Sequence, residues 1–279
     1  MEKYNLLTYA FGSIILLSIM SLRCNHNTKD IIFYVEHESK DSIPEFHNLN
    51  NQIYKPGNIY TYDYAFTIPG KNGKYILCDT IDEFFPGRDS DIFVLANDTS
   101  CYSSFIQFQM KIANKTEESN GELQTSLVYS LLSGNKSYNL LSRTGVVENH
   151  INLWIHPIRV LYFEILEFSP FPYLSYRASP GESYYFDLTV GSGWGDPRWY
   201  TFEGNIDVKS KYTIAGKKSI RTAFGEELCT EVIAQSISPA GTSECTFFFS
   251  ETYGLMMANY LLINGLRLEI ELASAIHSI

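Results

Sequence analysis

The second half of the chain is a series of short runs of aromatic and β-branched residues separated by turn sequences. These runs occupy residues 183–190, 201–212, 222–233, 246–249, 255–263 and 266–272. Asn264-Gly265 separates the last two, and Asn-Gly between two apolar runs is the strongest short-range signal for a β-hairpin. The 20 Tyr and 18 Phe of the chain suit the half-buried surface of a sheet. The pattern therefore predicts a closing antiparallel meander.

Similar runs occur in the first half. Residues 59–66 alternate aromatic with other side chains, and Pro-Gly-Lys-Asn-Gly at 69–73 separates them from a return run at 74–78. Further candidate strands lie at residues 92–95, 104–112, 123–132 and 137–141. The predicted fold is therefore all-β and mainly antiparallel, a sandwich or partly open barrel with a few short helices. We expect one β-rich domain over residues 59–279, with a subdomain boundary near residues 143–150 left open.

One stretch has helical rather than strand-like spacing. Its apolar residues are Trp154, Ile158, Leu161, Tyr162 and Ile165. Pro157 would lie in the first turn, where the missing N–H costs nothing, and prolines at 170 and 172 would end the helix. A short helix is therefore predicted from about residue 157 to residue 167.

The beginning of the chain has the features of an export signal. An apolar run over residues 6–20 follows a charged tip and precedes Cys24 and a polar stretch. The run is shorter than the ~20 residues that a membrane-spanning helix needs. Residues 1–23 are therefore predicted to be a signal peptide, and residues 24–58 a tether leading into the domain, with one candidate strand at 31–35.

The cysteine at the exit of this signal resembles the lipid-bearing first residue of a mature bacterial lipoprotein. Ser21, Leu22 and Arg23 occupy the preceding positions, and Arg23 departs from the small residue expected there. The resemblance implies a chain exported to the cell envelope and anchored to a bacterial membrane by lipid on Cys24. An ordinary signal peptide cut nearby, or an uncleaved anchor, remains the alternative.

The charge balance restricts the partners. The chain has 21 Lys and Arg against 31 Asp and Glu, a net charge of −10. Nucleic-acid binding is disfavoured because it depends on neutralising phosphates with basic side chains. The six histidines show no metal-ligand spacing, so no metal and no cofactor is predicted.

The other cysteines leave two interpretations open. Cys78, Cys101, Cys229 and Cys245 form an even set, which permits disulfides in an exported chain. Local pairing, Cys78 with Cys101 and Cys229 with Cys245, is the simplest connectivity. The alternative is four buried free thiols, which behave as small hydrophobic side chains.

Several motifs in the second half resemble a known group of proteins. The motifs are Trp-Ile-His-Pro-Ile-Arg at 154–159, Ser-Pro-Phe-Pro at 169–172, Gly-Trp-Gly-Asp at 193–196 and Thr-Phe-Phe-Phe-Ser-Glu-Thr-Tyr-Gly-Leu at 246–255. They resemble uncharacterised exported proteins of Bacteroidetes-type bacteria, and the closing meander resembles the DUF3108 class of envelope β-proteins. The resemblance implies a secreted or lipid-anchored β-rich protein and carries no established activity.

His156 is the centre of the best candidate polar site. A carboxylate such as Glu148 or Asp196 could orient it as a general base, and Arg159 could bind an anionic group. No Gly-x-Ser-x-Gly elbow accompanies it, so no catalytic residue is assigned. In the favoured alternative, His156 caps the predicted helix and Arg159 pairs with an acid to hold that helix on the sheet.

A Gly-rich loop carries a second candidate group. Trp194, Trp199 and Tyr200 flank Asp196-Pro197-Arg198, an arrangement that suits sugar stacking or a corner of a β core. Together with Trp154 of the preceding motif, these residues complete the candidate ligand or structural cluster. The sequence favours a non-enzymatic envelope module that binds a lipid, a glycan or a partner protein. The alternatives are a hydrolase-like enzyme with a polar site around His156 and a purely structural assembly subunit.

Overall fold

A computed structural model describes residues 49–79, 91–98, 101, 104–119, 122–133 and 136–278. Within them, fifteen strands form one antiparallel sheet. The strands are β1 (Ile59–Thr67), β2 (Tyr75–Asp79), β3 (Asp91–Leu95), β4 (Ser104–Phe105), β5 (Gln107–Ser119), β6 (Glu122–Ser133), β7 (Lys136–Glu148), β8 (Asn152–Ile155), β9 (Tyr173–Ser175), β10 (Ser183–Gly191), β11 (Asn205–Thr222), β12 (Gly225–Ser238), β13 (Gly241–Ser250), β14 (Gly254–Leu261) and β15 (Arg267–Ile276). The predicted all-β antiparallel fold is confirmed.

Strand β1 joins two meanders into this sheet. Strands β10 to β15 follow one another in the sheet as they do in the chain, and β5 to β9 do the same. Strand β1 pairs with β15 on one side and with β5 on the other. The short strands β2, β3 and β4 lie off this path, with β2 pairing β1. One sheet therefore continues through both halves of the chain.

The two ends of the sheet meet through side chains. The Tyr184 hydroxyl, on β10, donates a 2.8 Å hydrogen bond to the carbonyl of Tyr173, on β9, and the two rings lie 4.9 Å apart. The ring of Phe186 lies 5.9 Å from that of Trp154, on β8. The sheet is therefore a nearly closed, barrel-like structure whose seam is sealed by aromatic packing.

The segment between β8 and β9, residues 156–172, fills the interior, and we call it the inner segment. Its Phe163 ring contacts Tyr64 at 4.9 Å and Phe108 at 5.8 Å, both on strands of the sheet. The void left between this segment and the sheet is only about 20 Å³. The interior is therefore a packed core.

Hydroxyl groups of the sheet satisfy backbone carbonyls of the inner segment. Tyr129 donates to the carbonyl of His156 at 2.8 Å, and Tyr212 donates to that of Phe171 at 3.0 Å. The Ser243 hydroxyl donates to the carbonyl of Phe168 at 2.8 Å. Buried carbonyls without partners would be costly, so these bonds let irregular backbone lie inside the barrel.

The predicted helix is displaced and of another type. A 3₁₀ helix, Leu161–Phe168, begins about four residues after the predicted start, and Val160 before it is extended and makes no side-chain cap. His156 precedes Pro157, and a residue before proline is disfavoured in the α region. Because the helix begins five residues after His156, with Val160 at the cap position, His156 does not cap it. Trp154 lies in strand β8.

The structure resolves the cysteine alternatives differently for the two pairs. A disulfide joins Cys78 to Cys101, whereas Cys229 and Cys245 are buried free thiols. On the β12–β13 ladder Cys229 pairs with Ser250 and Cys245 with Ala234. Five ladder steps therefore separate the two thiols, about 17 Å at ~3.3 Å per residue, so the pairing of Cys229 with Cys245 is wrong.

The predicted domain limits fall at two places that the structure describes. Residues 49–58, the end of the predicted tether, pack on the sheet, where the side chain of Tyr54 is fully buried. Strand β7 runs through most of residues 143–150, the boundary that the sequence left open. The signal peptide, Cys24 and the candidate strand at 31–35 lie outside the described residues.

Candidate ligand cleft

The predicted polar cluster is distributed over three places in the structure. Glu148 lies at the end of the sheet that also carries Tyr54 and Glu251, which we call the cleft end. The loop of residues 192–200, with Trp194, Asp196 and Trp199, lies at the opposite end beside the β14–β15 turn. His156 and Trp154 lie between them in the core.

The Trp-containing loop is a packed corner. The guanidinium of Arg198 donates to both carboxylate oxygens of Asp196, at 2.9 and 3.0 Å, and lies 5.1 Å from the ring centre of Tyr162. The Trp199 indole N–H donates to the carbonyl of Trp194 at 3.2 Å. Asp196 is 2 % exposed and Trp194 is 7 % exposed. The geometry therefore favours the structural interpretation of this loop over sugar stacking.

The environment of His156 is also closed. Its side chain is fully buried, and its Nε2 lies 3.6 Å from Oε1 of Glu167, a residue of the 3₁₀ helix. Burial lowers the pKa of His156 well below its ordinary value, and the charge of nearby Arg159 lowers it further. Glu167, rather than Glu148 or Asp196, is thus the carboxylate beside His156. A substrate has no access to this imidazole.

Arg159 lies outside the helix, in the extended stretch before it. Its Nη2 donates to the carbonyl of Arg143 at 2.7 Å, and its guanidinium carbon lies 5.6 Å from the ring centre of Trp194. Burial lowers its pKa, while Glu167 and Glu164 act in the opposite direction. Arg159 therefore connects β7, the inner segment and the Trp-containing loop.

Glu148 fixes the segment that precedes β1. Its Oε1 accepts the backbone N–H groups of Gln52 and Ile53, both at 2.9 Å, and its Oε2 accepts that of Tyr54 at 2.8 Å. The carboxylate is nearly buried, at 3 % residue exposure. Three donors compensate its charge where water cannot. Glu148 is therefore an anchor for residues 52–54.

A cleft of about 510 Å³ opens beside Glu148 at the cleft end. Its floor consists of buried apolar side chains, and its rim consists of exposed or half-buried polar ones. The floor includes Ile53, Leu153, Leu174, Ile214 and Phe249, and the rim includes Asn50, Gln52, His150, Ser175, Tyr176, Lys217, Thr230 and Glu251. Small-molecule sites have this size and this mixture of apolar lining with a few polar groups.

The charged groups of the rim form one ion pair. Lys217 Nζ lies 2.8 Å from Oε1 of Glu251, and this hydrogen bond lowers the pKa of the Glu251 carboxyl. The half-exposed Tyr176 contributes an aromatic ring. Partial burial raises the pKa of Tyr176 to about 12, with Glu148 and Glu251 adding to the effect. Tyr176 is therefore a neutral hydroxyl at physiological pH.

Two β-bulges shape the wall of the cleft. The β11–β12 register shifts between Ile214 and Gly216, and the β13–β14 register shifts at Phe249. Bulges bend a strand and re-aim its side chains, and they are common beside binding sites. Both register shifts lie beside residues that line the cleft: Ile214, Gly216 and Phe249.

Other kinds of site have no support in the part of the chain that is described. No group of three or more His, Cys, Asp or Glu side chains in these residues could hold a metal ion. Nor does any helix there have the length and apolar character needed to cross a bilayer.

Sequence reasoning found Glu148 but missed the rest of the cleft. Tyr176, Lys217 and Glu251 come from three separate strands or loops and belong to no common motif. Gly216 lies between the predicted runs at 201–212 and 222–233, a stretch that the structure shows to be part of one continuous strand, β11. Such a glycine often marks a bulge, and Gly216 has a φ of 135°.

Comparisons with solved structures identify similar folds at low similarity. A candidate exported protein with YmcC-like fold from Bacteroides fragilis matches 80 % of this chain and 97 % of its own, with 9 % identity and a TM-score of 0.44. A candidate lipoprotein from Parabacteroides distasonis matches 80 % and 96 %, with 10 % identity and a TM-score of 0.43. The hypothetical lipoprotein YmcC from Escherichia coli matches 79 % and 86 %, with 9 % identity and a TM-score of 0.32.

These likenesses are too weak to carry an argument about function. No protein-family model matches the sequence, and no curated protein matches it either. The function must therefore be argued from the residues of the chain itself.

Proposed function

We propose that this chain is a lipid-anchored protein of a bacterial cell envelope whose β-rich domain is a non-enzymatic module that binds a ligand in the cleft beside Glu148. One contrast carries the binding proposal. The barrel interior holds a void of only about 20 Å³, whereas the cleft measures about 510 Å³ and opens to solvent. Among the described residues, the end of the barrel therefore has room for a ligand, and the void beneath the inner segment does not.

The anchoring part of the proposal rests on the sequence before the domain. The apolar run over residues 6–20 ends just before Cys24, and the predicted tether of residues 24–58 leads from Cys24 into the domain. Lipid on Cys24 would tether the domain to a membrane surface without a spanning helix. The resemblance to DUF3108-type envelope proteins agrees with this location.

The geometry around His156 supports a binding module over a hydrolase. A general base must come within hydrogen-bond reach of a substrate proton, and a fully buried imidazole packed on Phe171 has no such approach. The carboxylate of Glu148 is likewise occupied by backbone donors.

Two experiments test the two parts separately. Mass spectrometry of the native protein should find a mature chain that begins at an acylated Cys24; an unacylated chain beginning elsewhere would refute the anchor. For binding, Ala178→Trp places an indole in the cleft, and Ala240→Trp places one in the β12–β13 turn as a matched control. The melting temperature of each protein is then measured with a panel of envelope lipids and glycans. At least one compound should raise the melting temperature of the parent and of Ala240→Trp but not that of Ala178→Trp. If no compound distinguishes the two variants, the cleft is not a binding site.

A further inference from the structure

We infer that the cleft selects an uncharged amphipathic ligand, with an apolar body on the floor and a neutral hydroxyl- or amide-bearing head at the rim. This inference rests on the proposed binding function and adds the chemical class of the ligand. It follows from how the floor and the rim differ and from the state of each charge in the lining.

The floor accepts an apolar group. Leu153, Ile214 and Phe249 are each 1–3 % exposed and present aliphatic and aromatic surface to the cleft. An aliphatic chain placed there would move its own apolar surface out of water onto side chains that are themselves almost fully buried, and this transfer is the main driving force for such binding. A purely polar sugar would leave this floor without a matching partner.

The rim offers hydrogen bonds without net charge. Asn50 and Gln52 supply amides, Ser175 and Thr230 supply hydroxyls, and Tyr176 supplies a neutral phenol with an exposed ring. Amides and hydroxyls both donate and accept, so they match the hydroxyl groups of a neutral head.

The charges of the lining are already compensated. Glu148 is held by three backbone N–H groups, and Lys217 is paired with Glu251. An anionic head would have to compete with Glu251 for Lys217 while lying near two carboxylates. A cationic head would meet a Glu148 carboxylate whose oxygens are already engaged. A neutral head meets neither competition.

Four probes test this inference: three share an octyl chain and differ in the charge of the head, and the fourth is the sugar head alone. The protein is the chain from residue 24 onward with Cys24→Ser, which cannot carry lipid. The probes are n-octyl β-D-glucoside, n-octyl sulfate and octyltrimethylammonium, all below their micelle concentrations, and methyl β-D-glucoside as the head alone. Titration calorimetry and thermal melting should show that octyl glucoside binds at least tenfold tighter than the other three. Ala178→Trp should weaken octyl glucoside binding at least tenfold, and Ala240→Trp should not.

A charge variant tests the compensation argument directly. Glu251→Gln leaves Lys217 without its acid, so octyl sulfate should gain at least threefold in affinity. Glu269→Gln is the matched control, because it releases Lys74 from an exposed ion pair away from the cleft. The control should leave octyl sulfate binding unchanged.

Three outcomes would overturn the inference, and they differ from failure of the binding function. In the first, octyl sulfate or octyltrimethylammonium binds as tightly as octyl glucoside, and Ala178→Trp weakens that binding. This result would refute the selection of a neutral ligand but would keep the cleft as a binding site. Methyl glucoside binding as tightly as octyl glucoside would identify a sugar site instead. If Ala178→Trp changes the affinity of none of the four probes, the inference about the ligand class fails. The proposed binding function is tested separately, by the wider panel of lipids and glycans.

Discussion

The hydroxyl of Tyr54 accepts a hydrogen bond from the backbone N–H of Leu255 at 2.9 Å, with the tyrosine ring lying directly over Gly254. Two residues 201 positions apart are thus joined in the wall beneath the cleft end. Gly254 has a φ of 73°, and a methyl group at its Cα would overlap the tyrosine ring. The glycine is therefore required both by its backbone conformation and by the space that Tyr54 occupies.

Substitution of Gly254 by alanine should therefore be strongly destabilising. The left-handed conformation costs a residue with a Cβ about 1–2 kcal/mol, and overpacking against a buried ring adds about 1–3 kcal/mol. Gly204→Ala is the control, since Gly204 has a φ of 70° and open space around its Cα. Urea unfolding should show a loss of about 3 kcal/mol for Gly254→Ala and about 1 kcal/mol for the control. If Gly254→Ala and Gly204→Ala lose the same unfolding free energy, the ring of Tyr54 moves aside without an energetic cost.

Glu148→Gln should weaken the attachment of residues 52–54. The amide retains one acceptor oxygen but turns an N–H₂ group toward backbone donors, and it removes the charge that strengthens all three bonds. We expect a loss of about 2–3 kcal/mol, typical of buried charge-assisted hydrogen bonds. Glu203→Gln, at an exposed position, should stay within about 0.5 kcal/mol of the parent. Hydrogen exchange should also show faster exchange of the Ile53 and Tyr54 amides in Glu148→Gln alone.

The stability of the protein should fall in mildly acidic solution because of His156. Burial lowers its folded-state pKa below the ordinary value near 6.5, so the unfolded chain binds a proton that the folded chain does not. The loss begins as the pH falls through about 6.5 and continues down to the folded-state pKa. His156→Gln should flatten this part of the curve of unfolding free energy against pH, although it lowers stability at pH 8. His277→Gln, which changes an exposed histidine, should leave the slope of the unfolding free energy against pH as it is in the parent. If His156→Gln also leaves this slope unchanged, the pH dependence does not come from His156.

Arg159→Ala should lower the melting temperature. The change removes the hydrogen bond to the carbonyl of Arg143, the contact with Trp194 and a favourable charge interaction with Glu167. Because that hydrogen bond is exposed to solvent, a loss of about 1 kcal/mol is expected. Arg159→Lys should fall between parent and alanine, because it keeps the charge but not the planar guanidinium. If Arg159→Ala melts at or above the temperature of the parent, Arg159 does not stabilise the fold.

Reduction of the disulfide between Cys78 and Cys101 should destabilise the β2–β4 region. The bond closes a loop across 23 residues, for which chain entropy gives about 3 kcal/mol. Dithiothreitol should lower the melting temperature of the parent. It should leave that of the double variant Cys78→Ser, Cys101→Ser unchanged. If dithiothreitol still lowered the melting temperature of the double variant, the effect in the parent would not come from the bond between Cys78 and Cys101.

Strands bounded by clear turns could be predicted from the sequence. Asn264-Gly265 lies between β14 and β15, as the hairpin signal indicates, and Gly265 has the positive φ of 83° that such a turn needs. Strands β8 and β9 could not be predicted, because all four residues of β8 are buried and four-residue strands of this kind lack the alternating pattern. For that reason the sequence pattern groups Trp154 with the helical spacing of the apolar residues that follow it.

The candidate site was less predictable than the fold. Glu148 could be singled out as a polar residue in a β-rich segment, but its partners at residues 52–54 lie in a stretch predicted to be a tether. His156 and Glu167 form a pair only because the inner segment turns back inside the barrel. Cleft residues such as Tyr176 and Glu251 meet through the order of strands in the sheet, which no local pattern encodes.

The position of β1 between the two meanders has a consequence for how the chain folds. Strand β1 pairs with β15 along its whole length, although about 200 residues separate them in the chain. A chain that emerges β1 first exposes one side of β1 until β15 has followed, and contacts of such long sequence separation form slowly. The sheet therefore closes late. Late closure would leave the two meanders as separate sheets until the last strand, β15, has paired with β1.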